Sequence, residues 1–322
     1  MKVYHSLADF PKLDNAIVTQ GTFDGVHAAH QVIIAQLKDL AKTTQSETVL
    51  ITYDPHPRMV LYPDDHGLKL LSTLEEKIEL LRDQCIDHLL ILPFTREFSR
   101  LSSLQFIRDI IVKSIGTRFL VIGYNHRFGK NREGSFEHLK EYAPAYGFEV
   151  KEIAEQDIDE ISVSSTRIRE ALTKGDVKLA ARYLGRFYSL TGSVIHGKEL
   201  GRTIGYPTAN ISVNDPHKLI PADGIYAVFV WVKNAVSETK KVRYNGMLSI
   251  GNNPTVPGKG RSIEVNIFNF NGQIYNQILS IDFVDKLRDE VKFSSLEDLK
   301  MQLQKDELNA LEMIDRLSIE HK

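Results

Sequence analysis

The pattern of apolar and polar positions changes about halfway along the chain. In the first half, short apolar runs rich in β-branched residues alternate with stretches whose apolar residues recur at helical spacing. This alternation predicts a mostly parallel sheet with crossover helices. In such a doubly wound sheet, ligands bind outside the carboxyl ends of the strands. The predicted strands are Ala16–Thr19, Val49–Tyr53, His88–Leu92, Phe119–Gly123 and Phe148–Ile153.

Helical spacing between these strands predicts two amphipathic helices. The apolar face of the first contains Ile33, Leu37, Leu40 and Ala41, and that of the second contains Leu74, Ile78, Leu81 and Cys85. Thr73 and Glu76 have the spacing of a capping box at the start of the second helix. Cys85 is the only cysteine, so we expect a buried core thiol and no disulfide within the chain.

Beyond Gly185 the helical period gives way to β-rich runs separated by Gly, Pro and Asn, which predicts an antiparallel barrel or sandwich. The polar insert Lys233–Lys241 is predicted to be a surface loop. The final segment returns to helical spacing, with a Ser294/Glu297 capping box at its start. The predicted strands are Tyr188–Val194, Ile225–Val232, Met247–Ile250, Ile263–Phe270 and Ile278–Phe283.

Length and charge refine this picture. A chain of 322 residues is long enough for two domains, which we place at 1–184 and 185–322. The 40 basic and 42 acidic residues give a net charge of -2, which provides no broad field for binding nucleic acid or an anionic membrane. Neither a signal peptide nor a run of about 18 apolar residues is evident, so we expect a cytoplasmic protein.

The segment from Gly21 to His30 follows the first strand and enters the first helix, where phosphates meet helix amides. Two glycines, Gly21 and Gly25, allow close approach of a nucleotide. His27 and His30 project to the same side of the helix and can donate hydrogen bonds to phosphate oxygens. A metal site, or a plain helix start, would also be compatible with these two histidines.

This segment resembles the nucleotidyltransferase signature GxFDGVHxGH of bacterial bifunctional riboflavin kinase/FAD synthetases. The family usually has glycine at the position of Ala29. Thr52–Pro57 resembles the family's TFDPHP segment, with Tyr53 in place of Phe. Gly123–Gly129 resembles a family loop, in which Asn125 would hold a ribose or a polar flavin edge and Phe128 would stack or pack.

The stretch SSTRIR, from Ser164 to Arg169, resembles the superfamily's SSTxxR element. Hydroxyl groups at a helix start, together with Arg167 and Arg169, suit the phosphates that leave as pyrophosphate. For the first site the resemblance implies His27, His30 and Arg167 as catalytic residues. It implies these ATP-binding residues: Gly21, Phe23, Asp24, Gly25, Asn125, Ser165 and Thr166.

Two overlapping glycine-rich patterns follow in the second half. Gly192–Lys198 matches seven positions of a Walker A motif, but Glu199 cannot replace its magnesium-binding hydroxyl, so we interpret the match as coincidence. Gly197–Asn210 instead resembles the glycine-rich segment and PTAN motif of riboflavin kinases. There Thr208 and Asn210 would offer oxygen ligands to Mg²⁺. The ATP-binding residues implied by this resemblance are Gly197, Lys198, Gly201, Gly205 and Thr208.

Three further segments extend the resemblance. Asn252–Thr255 lies in a stretch similar to the family's IGxxPT, and Glu264 matches the catalytic glutamate, a base for a primary alcohol. The segment from Asp285 to Phe293 resembles LRxExKF, in which Arg288 and Glu290 would meet the flavin. Departures at Asn269, Gln273 and Asn276 concern the turn after Glu264.

The resemblance implies a Rossmann-like nucleotidyltransferase domain, followed by a riboflavin kinase β-barrel with a C-terminal helix. Riboflavin and ATP would give FMN in the second domain, and FMN and ATP would give FAD and pyrophosphate in the first. Two alternatives are a riboflavin kinase with a degenerate first domain and a nucleic-acid-binding barrel. The expected partners are these small molecules, with neither nucleic acid nor membrane; the oligomeric state is not predicted.

Overall fold

The computed structural model describes the whole chain except residues 65–66, 124–126, 154–162, 198–199, 235–236, 252–260 and 321–322. The chain divides into two compact units, Met1–Ser165 and Thr166–Lys322. The domain division predicted at 184/185 remains a prediction. Among the described helices, none combines the length and apolar character needed to cross a membrane.

The first unit is built on a six-stranded sheet in which every pairing is parallel, as predicted. Its strand order is β1-β4-β3-β2-β5-β6, so β2 lies next to β5 at the centre of the sheet. From β2 the chain order proceeds outward through β3 and β4 on one side, and from β5 it proceeds to β6 on the other. This is a topological switch point, where α/β sheets bind ligands. The strands are β1 (Lys2–Tyr4), β2 (Ala16–Gln20), β3 (Glu47–Asp54), β4 (His88–Pro93), β5 (Thr117–Gly123) and β6 (Glu149–Ile153).

Helices connect these strands, and the sheet is buried between two apolar clusters. One cluster lies around Val18 and Ile111, and the other around Ile17 and Leu37. This alternation of neighbouring strand residues is expected for a sheet covered on both faces. The helices are α1 (Ala28–Thr44), α2 (Pro57–Leu61), α3 (Leu74–Asp83), α4 (Ser103–Gln105), a π-helix at Phe106–Ile115, and α5 (Phe136–Tyr146); short 3-10 turns lie at Phe98–Arg100 and Lys130–Arg132.

The end of α3 corrects one prediction. Thr73 caps the helix in a capping box with Glu76, as expected, but the helix ends at Asp83. Cys85 lies beyond it in a left-handed conformation, with φ of 56°, and its side chain is exposed. The prediction of a buried core thiol was therefore wrong, because the chain turns away from the helix before the cysteine.

The second unit contains a closed antiparallel barrel of six strands in the order β10-β11-β8-β7-β12-β9. Tyr226, Val228 and Val230 alternate along one strand and are fully buried, whereas Ala227 and Phe229 pack with a separate cluster. The strands are β7 (Tyr188–Ile195), β8 (Ala209–Ser212), β9 (Gly224–Asn234), β10 (Ser237–Gly251), β11 (Ser262–Ile267) and β12 (Ile278–Arg288).

Four described helices belong mainly to this unit: α6 (Ser165–Thr173), α7 (Val177–Leu184), α8 (Leu200–Thr203) and α9 (Leu296–Glu320). The C-terminal helix α9 covers an outer face of the barrel, where Ala310 and Ile314 are buried with Phe229 and Met247. Its cap differs from the prediction. Ser295, rather than Ser294, accepts a hydrogen bond from the backbone of Asp298 at the helix start.

Two other expectations concern the barrel strands. The described part of the insert Lys233–Lys241 is strand rather than loop: β9 extends to Asn234, β10 begins at Ser237, and Lys233 pairs with Lys241. The prediction of a surface loop was therefore wrong for the described residues, because strand pairing continues beyond the apolar core. Gly192 lies within β7 rather than in a phosphate-binding loop, in keeping with the interpretation of the Walker match as coincidence.

Candidate active sites

The turn between β2 and α1, from Gly21 to His27, forms the first candidate site. Phe23 and Val26 have positive φ angles of 46° and 41°, a conformation that costs about 1–3 kcal/mol per residue and needs support from its surroundings. The buried carboxylate of Asp24 supplies this support by accepting hydrogen bonds from the backbone N–H of Leu71 (2.9 Å) and Ser72 (3.2 Å). Asp24, predicted to bind ATP, therefore anchors the turn.

His27 and His30 come together at the start of α1. Their rings stack with centroids 3.7 Å apart, and the ring of Phe23 lies 4.9 Å from His30 on the buried side. Burial holds the pKa of His30 well below its usual value, and the charges of His27 and Lys77 act in the same direction. The imidazole of His30 is therefore neutral near pH 7 and can donate one N–H to a phosphate oxygen.

Lys77 is a residue of this site that the sequence interpretation missed. It is buried on α3, and its ammonium group donates hydrogen bonds to Thr22 O (3.2 Å) and Thr52 Oγ1 (3.3 Å). Burial lowers the pKa of Lys77, whereas the carboxylates of Asp24 and Asp54 raise it. Lys77 thus ties the turn after β2 to the end of β3 and brings positive charge close to the histidines.

The structure shows the position of four other residues predicted for the first site, and one of them contacts the turn after β2 directly. Ser165 begins α6, and its hydroxyl donates to Asp24 O (3.3 Å). Thr166 and Arg167 follow it and are exposed. Phe128 is buried against Phe106, with ring centroids 5.6 Å apart, so its ring packs in the core. Asn125 lies outside the described residues.

The second candidate site lies on one face of β8 and β11. Glu264 and Asn210 are direct partners in the register of these strands, and the hydroxyl of Thr208 donates to Glu264 Oε2 at 3.1 Å. Ile263 and Val265 are buried, so the side chain of Glu264 points to the opposite face of the strand. Thr208, Asn210 and Glu264 therefore share a face.

A hydrogen bond and two closely packed glycines hold the segment around Thr208 and Asn210 in place. The side-chain amide of Asn266, two residues beyond Glu264, donates to Pro207 O at 2.7 Å. A side chain at Gly197 would collide with Asn210, and one at Gly201 would collide with the carbonyl of Tyr206. These two glycines are therefore required by close approach, whereas Gly205 is suited to its positive φ of 87°. The predicted residues Lys198 and 252–255 lie outside the described residues.

Of the three residues predicted to bind flavin, Arg288 and Glu290 lie in the second unit, and each contacts another segment of that unit. Arg288, at the end of β12, forms an ion pair with the buried Asp306 on α9 (2.7 Å). The Glu290 carboxylate lies against Gly251, at the end of β10, so closely that a side chain at position 251 would overlap it. Both residues thus have protein contacts that fix their position in the structure described here.

The donor set of the second site suits magnesium. Thr208 offers a hydroxyl, Asn210 an amide oxygen and Glu264 a carboxylate, all of them hard oxygen donors. Because the Thr208 hydroxyl gives its proton to Glu264, its oxygen lone pairs remain available for a cation. Mg²⁺ binds by few protein ligands together with phosphates and waters, so this small set fits it.

Comparison with known proteins identifies the class of enzyme. Residues 9–167 match the sequence profile of the FAD synthetase family, and residues 184–314 match that of riboflavin kinase. The chain is thus a two-domain transferase of flavin cofactor biosynthesis. The presence of both domains supports the bifunctional prediction over a kinase alone or a nucleic-acid-binding barrel.

Relatives extend this match over nearly the full length. The chain is 35% identical over 294 residues to the bifunctional riboflavin kinase/FMN adenylyltransferase of Haemophilus influenzae, covering 91% of this chain and 92% of that protein. It is 39% identical over 294 residues to the enzyme of the same description from Listeria monocytogenes, covering 91% and 90%. The chain belongs to the bifunctional riboflavin kinase/FMN adenylyltransferase family.

A solved structure shares the fold over almost the whole chain. A Streptococcus pneumoniae protein described as a macrolide-efflux protein has a TM-score of 0.81 and 31% identity, covering 95% of this chain and 97% of that one. That description differs from the names of the relatives above. The two domain matches and those relatives establish the family.

Proposed function

We propose that the two sites carry out successive ATP-dependent steps, and that the residues assembled above have the following roles. In the barrel, Glu264 accepts the proton of the terminal ribityl hydroxyl of riboflavin as that oxygen attacks the γ-phosphorus of ATP. The observation that carries this proposal is the contact of Glu264 with Thr208, beside Asn210 on the paired strand. Positioning and charge stabilisation supply most of the acceleration in phosphoryl transfer.

Thr208 and Asn210 would hold Mg²⁺, which when bound neutralises phosphate charge. Gly197 and Gly201 permit close contact with Asn210 and Tyr206, respectively, and Gly205 adopts a positive φ of 87°. We call residues 200–208 the ATP-side segment. Arg288 and Glu290 would contact the flavin. Lys198 is retained as a proposed phosphate contact on the resemblance alone.

In the first unit, a phosphate oxygen of FMN attacks the α-phosphorus of ATP, and pyrophosphate leaves. This nucleophile is already an anion, so the step depends on orientation and electrostatics rather than on a base. His27 and His30 would donate hydrogen bonds to the transferring phosphate, and Ser165, Thr166 and Arg167 would contact the pyrophosphate. Asp24 and Phe23 would support the turn from behind, and Gly21 and Gly25 would admit the nucleotide.

Within this set, Asn125 and Phe128 are retained from the resemblance as contacts to ATP and flavin. The buried ring of Phe128 supports a packing role for this residue.

The magnesium assignment is tested by Thr208→Ala and Asn210→Ala. Each removes one oxygen donor, so we expect FMN formation to need a higher Mg²⁺ concentration, with the half-maximal concentration rising by about tenfold or more as one ligand is lost. The measurement is the FMN rate titrated with Mg²⁺ at saturating ATP. Thr191→Ala, elsewhere in the barrel, serves as a matched control. A rate that falls with an unchanged Mg²⁺ midpoint in both variants would exclude them as ligands.

A further inference from the structure

The C-terminal helix α9 carries two consecutive acids that contact both parts of the proposed kinase site. The carboxylate of Asp306 accepts hydrogen bonds from Arg288, with Nε at 3.0 Å and Nη2 at 2.7 Å. The carboxylate of Glu307 accepts a hydrogen bond from the hydroxyl of Tyr206 at 3.0 Å. Arg288 belongs to the proposed flavin side, and Tyr206 lies two residues before Thr208 on the ATP side.

The contact of Asp306 with Arg288 is built into the interior. Asp306 is only 1% exposed and also accepts a hydrogen bond from Gln302 one helical turn earlier (2.8 Å). Two parallel hydrogen bonds between a guanidinium and a carboxylate fix the plane of the arginine. The other terminal nitrogen of the Arg288 guanidinium is also held, because Nη1 donates a hydrogen bond to Asp289 O at 3.0 Å. The Arg288 side chain is therefore held in one orientation.

Fixing Arg288 in this way leaves part of it available to a ligand. A guanidinium has five N–H groups, and Asp306 and Asp289 O account for three of them. Within the described part of the chain, no hydrogen bond is made by the other two, one on each terminal nitrogen. The Arg288 side chain retains 19% exposure, so these donors can reach a flavin without breaking the ion pair.

The contact of Glu307 with Tyr206 restrains the ATP-side segment. The Tyr206 ring packs against the cluster formed by α9 and the barrel, alongside Leu303 and Leu311. Burial raises the pKa of Tyr206 to about 12, and Glu307 acts in the same direction through its hydrogen bond and its charge. The phenol is therefore protonated at physiological pH and remains a donor to Glu307.

The helix itself is a firm support for both contacts. Ala310 and Ile314 of α9 are 0% and 3% exposed and pack against the barrel. Consecutive helical residues point about 100° apart, so Asp306 and Glu307 reach two different segments from one turn of the helix.

We propose that Asp306 and Glu307 are positioning residues. From one turn of α9, Asp306 holds Arg288 on the flavin side and Glu307 holds the ATP-side segment, so α9 fixes the two substrate-binding parts relative to each other. The inference rests on the proposed function of Arg288 and Thr208, and deepens it by assigning each acid to one substrate. Asp306 acts on riboflavin binding through Arg288. Glu307 acts on ATP binding through Tyr206.

Asp306→Asn and Tyr206→Phe test this assignment through the KM of each substrate. We expect Asp306→Asn to raise the KM for riboflavin by about tenfold, because a charge-assisted contact is lost. We expect Tyr206→Phe to raise the KM for ATP by about three- to tenfold, because one hydrogen bond is lost. In each variant we expect the KM for the other substrate, and kcat, to change by less than about threefold, which is smaller than the effect of losing a full hydrogen bond. A role in stability alone would not separate the two substrates.

Glu312→Gln is the matched control, since Glu312 is an exposed acid on the same helix that pairs with Arg316 one turn later. FAD formation from supplied FMN reports on the first unit in every variant. If Asp306→Asn unfolds the barrel, Asp306→Glu, which keeps the charge but moves the carboxylate away from its contact with Arg288, is expected to raise the KM for riboflavin instead. Tyr206→Phe tests the ATP half independently.

Unchanged KM values for both substrates, or equal changes in both, would overturn the inference. A wild-type protein that forms no FMN would instead contradict the proposed function.

Discussion

Replacing Glu264 by alanine should nearly stop FMN formation while FAD formation from supplied FMN continues at its normal rate. The carboxylate pairs with Asn210 across the strands and accepts a hydrogen bond from Thr208, so we expect it to take the proton of the attacking hydroxyl. Loss of a general base costs about 10²–10⁴ in rate. The change is confined to one strand of the barrel, so the first unit should be unaffected.

Glu264→Gln sharpens this test. Glutamine keeps the shape of the side chain and can still accept the hydrogen bond from Thr208, but it cannot take a proton at neutral pH. We therefore expect kcat for FMN formation to fall strongly in both Glu264→Ala and Glu264→Gln, whereas the KM values of Glu264→Gln stay close to those of the wild type. The rates are measured by separating riboflavin, FMN and FAD. If both activities fell together, or if Glu264→Gln retained full activity, Glu264 would not be the base.

The second large effect is expected for His30→Ala, which should slow FAD formation by about 10²–10³ because a hydrogen-bond donor to the developing phosphate charge is lost. The imidazole stacks on His27 and rests on Phe23, so its position is fixed before the nucleotide arrives. Burial lowers the pKa of His30, so the imidazole is neutral near pH 7 and offers one N–H to the phosphate. Riboflavin phosphorylation should be unchanged.

His5→Ala is the matched control, because His5 is an exposed histidine of the same unit and lies outside the turn. His30→Asn tests the chemistry further, since its amide retains an N–H donor and should recover part of the lost rate. An FAD yield from His30→Ala equal to that of the wild type would remove His30 from the mechanism.

The elements that the sequence predicted best are those whose signals are local. The central strands of the first unit and the turn after β2 follow from short apolar runs and from the glycines beside His27. The strands β1 and β8 were missed, because each has only three or four residues and too short an alternation to detect. Their pairing depends on partners elsewhere in the chain, such as His88 for Lys2.

The candidate sites were predictable where a motif concentrates the residues, and not where a single contact spans the fold. Lys77 had a detectable signal: it lies among Leu74, Ile78 and Leu81 on the apolar face of α3, where a lysine needs a partner. Its partners Thr22 and Thr52 could not be inferred, since they are 55 and 25 residues away. Glu307 contacts Tyr206 across 101 residues, and helical spacing alone gives no indication of it.

The exposure of Cys85 illustrates the same limit. Its spacing continues the apolar face of α3, but the helix ends two residues earlier and the chain reverses through a left-handed residue. Helix ends depend on what the following chain must reach, here the strand that begins at His88. Periodicity predicts the face of a helix better than it predicts its last turn.

A time course of riboflavin, FMN and FAD with purified protein, ATP and Mg²⁺ tests the central claim of two ATP-dependent steps most directly. Ala29, which is buried in the first turn of α1, replaces the family's usual glycine. Formation of FAD in the second step therefore also tests whether adenylyl transfer tolerates this alanine. We predict that FMN forms first and is converted to FAD, with one pyrophosphate released for each FAD. Accumulation of FMN without FAD, or persistence of riboflavin, would contradict the account.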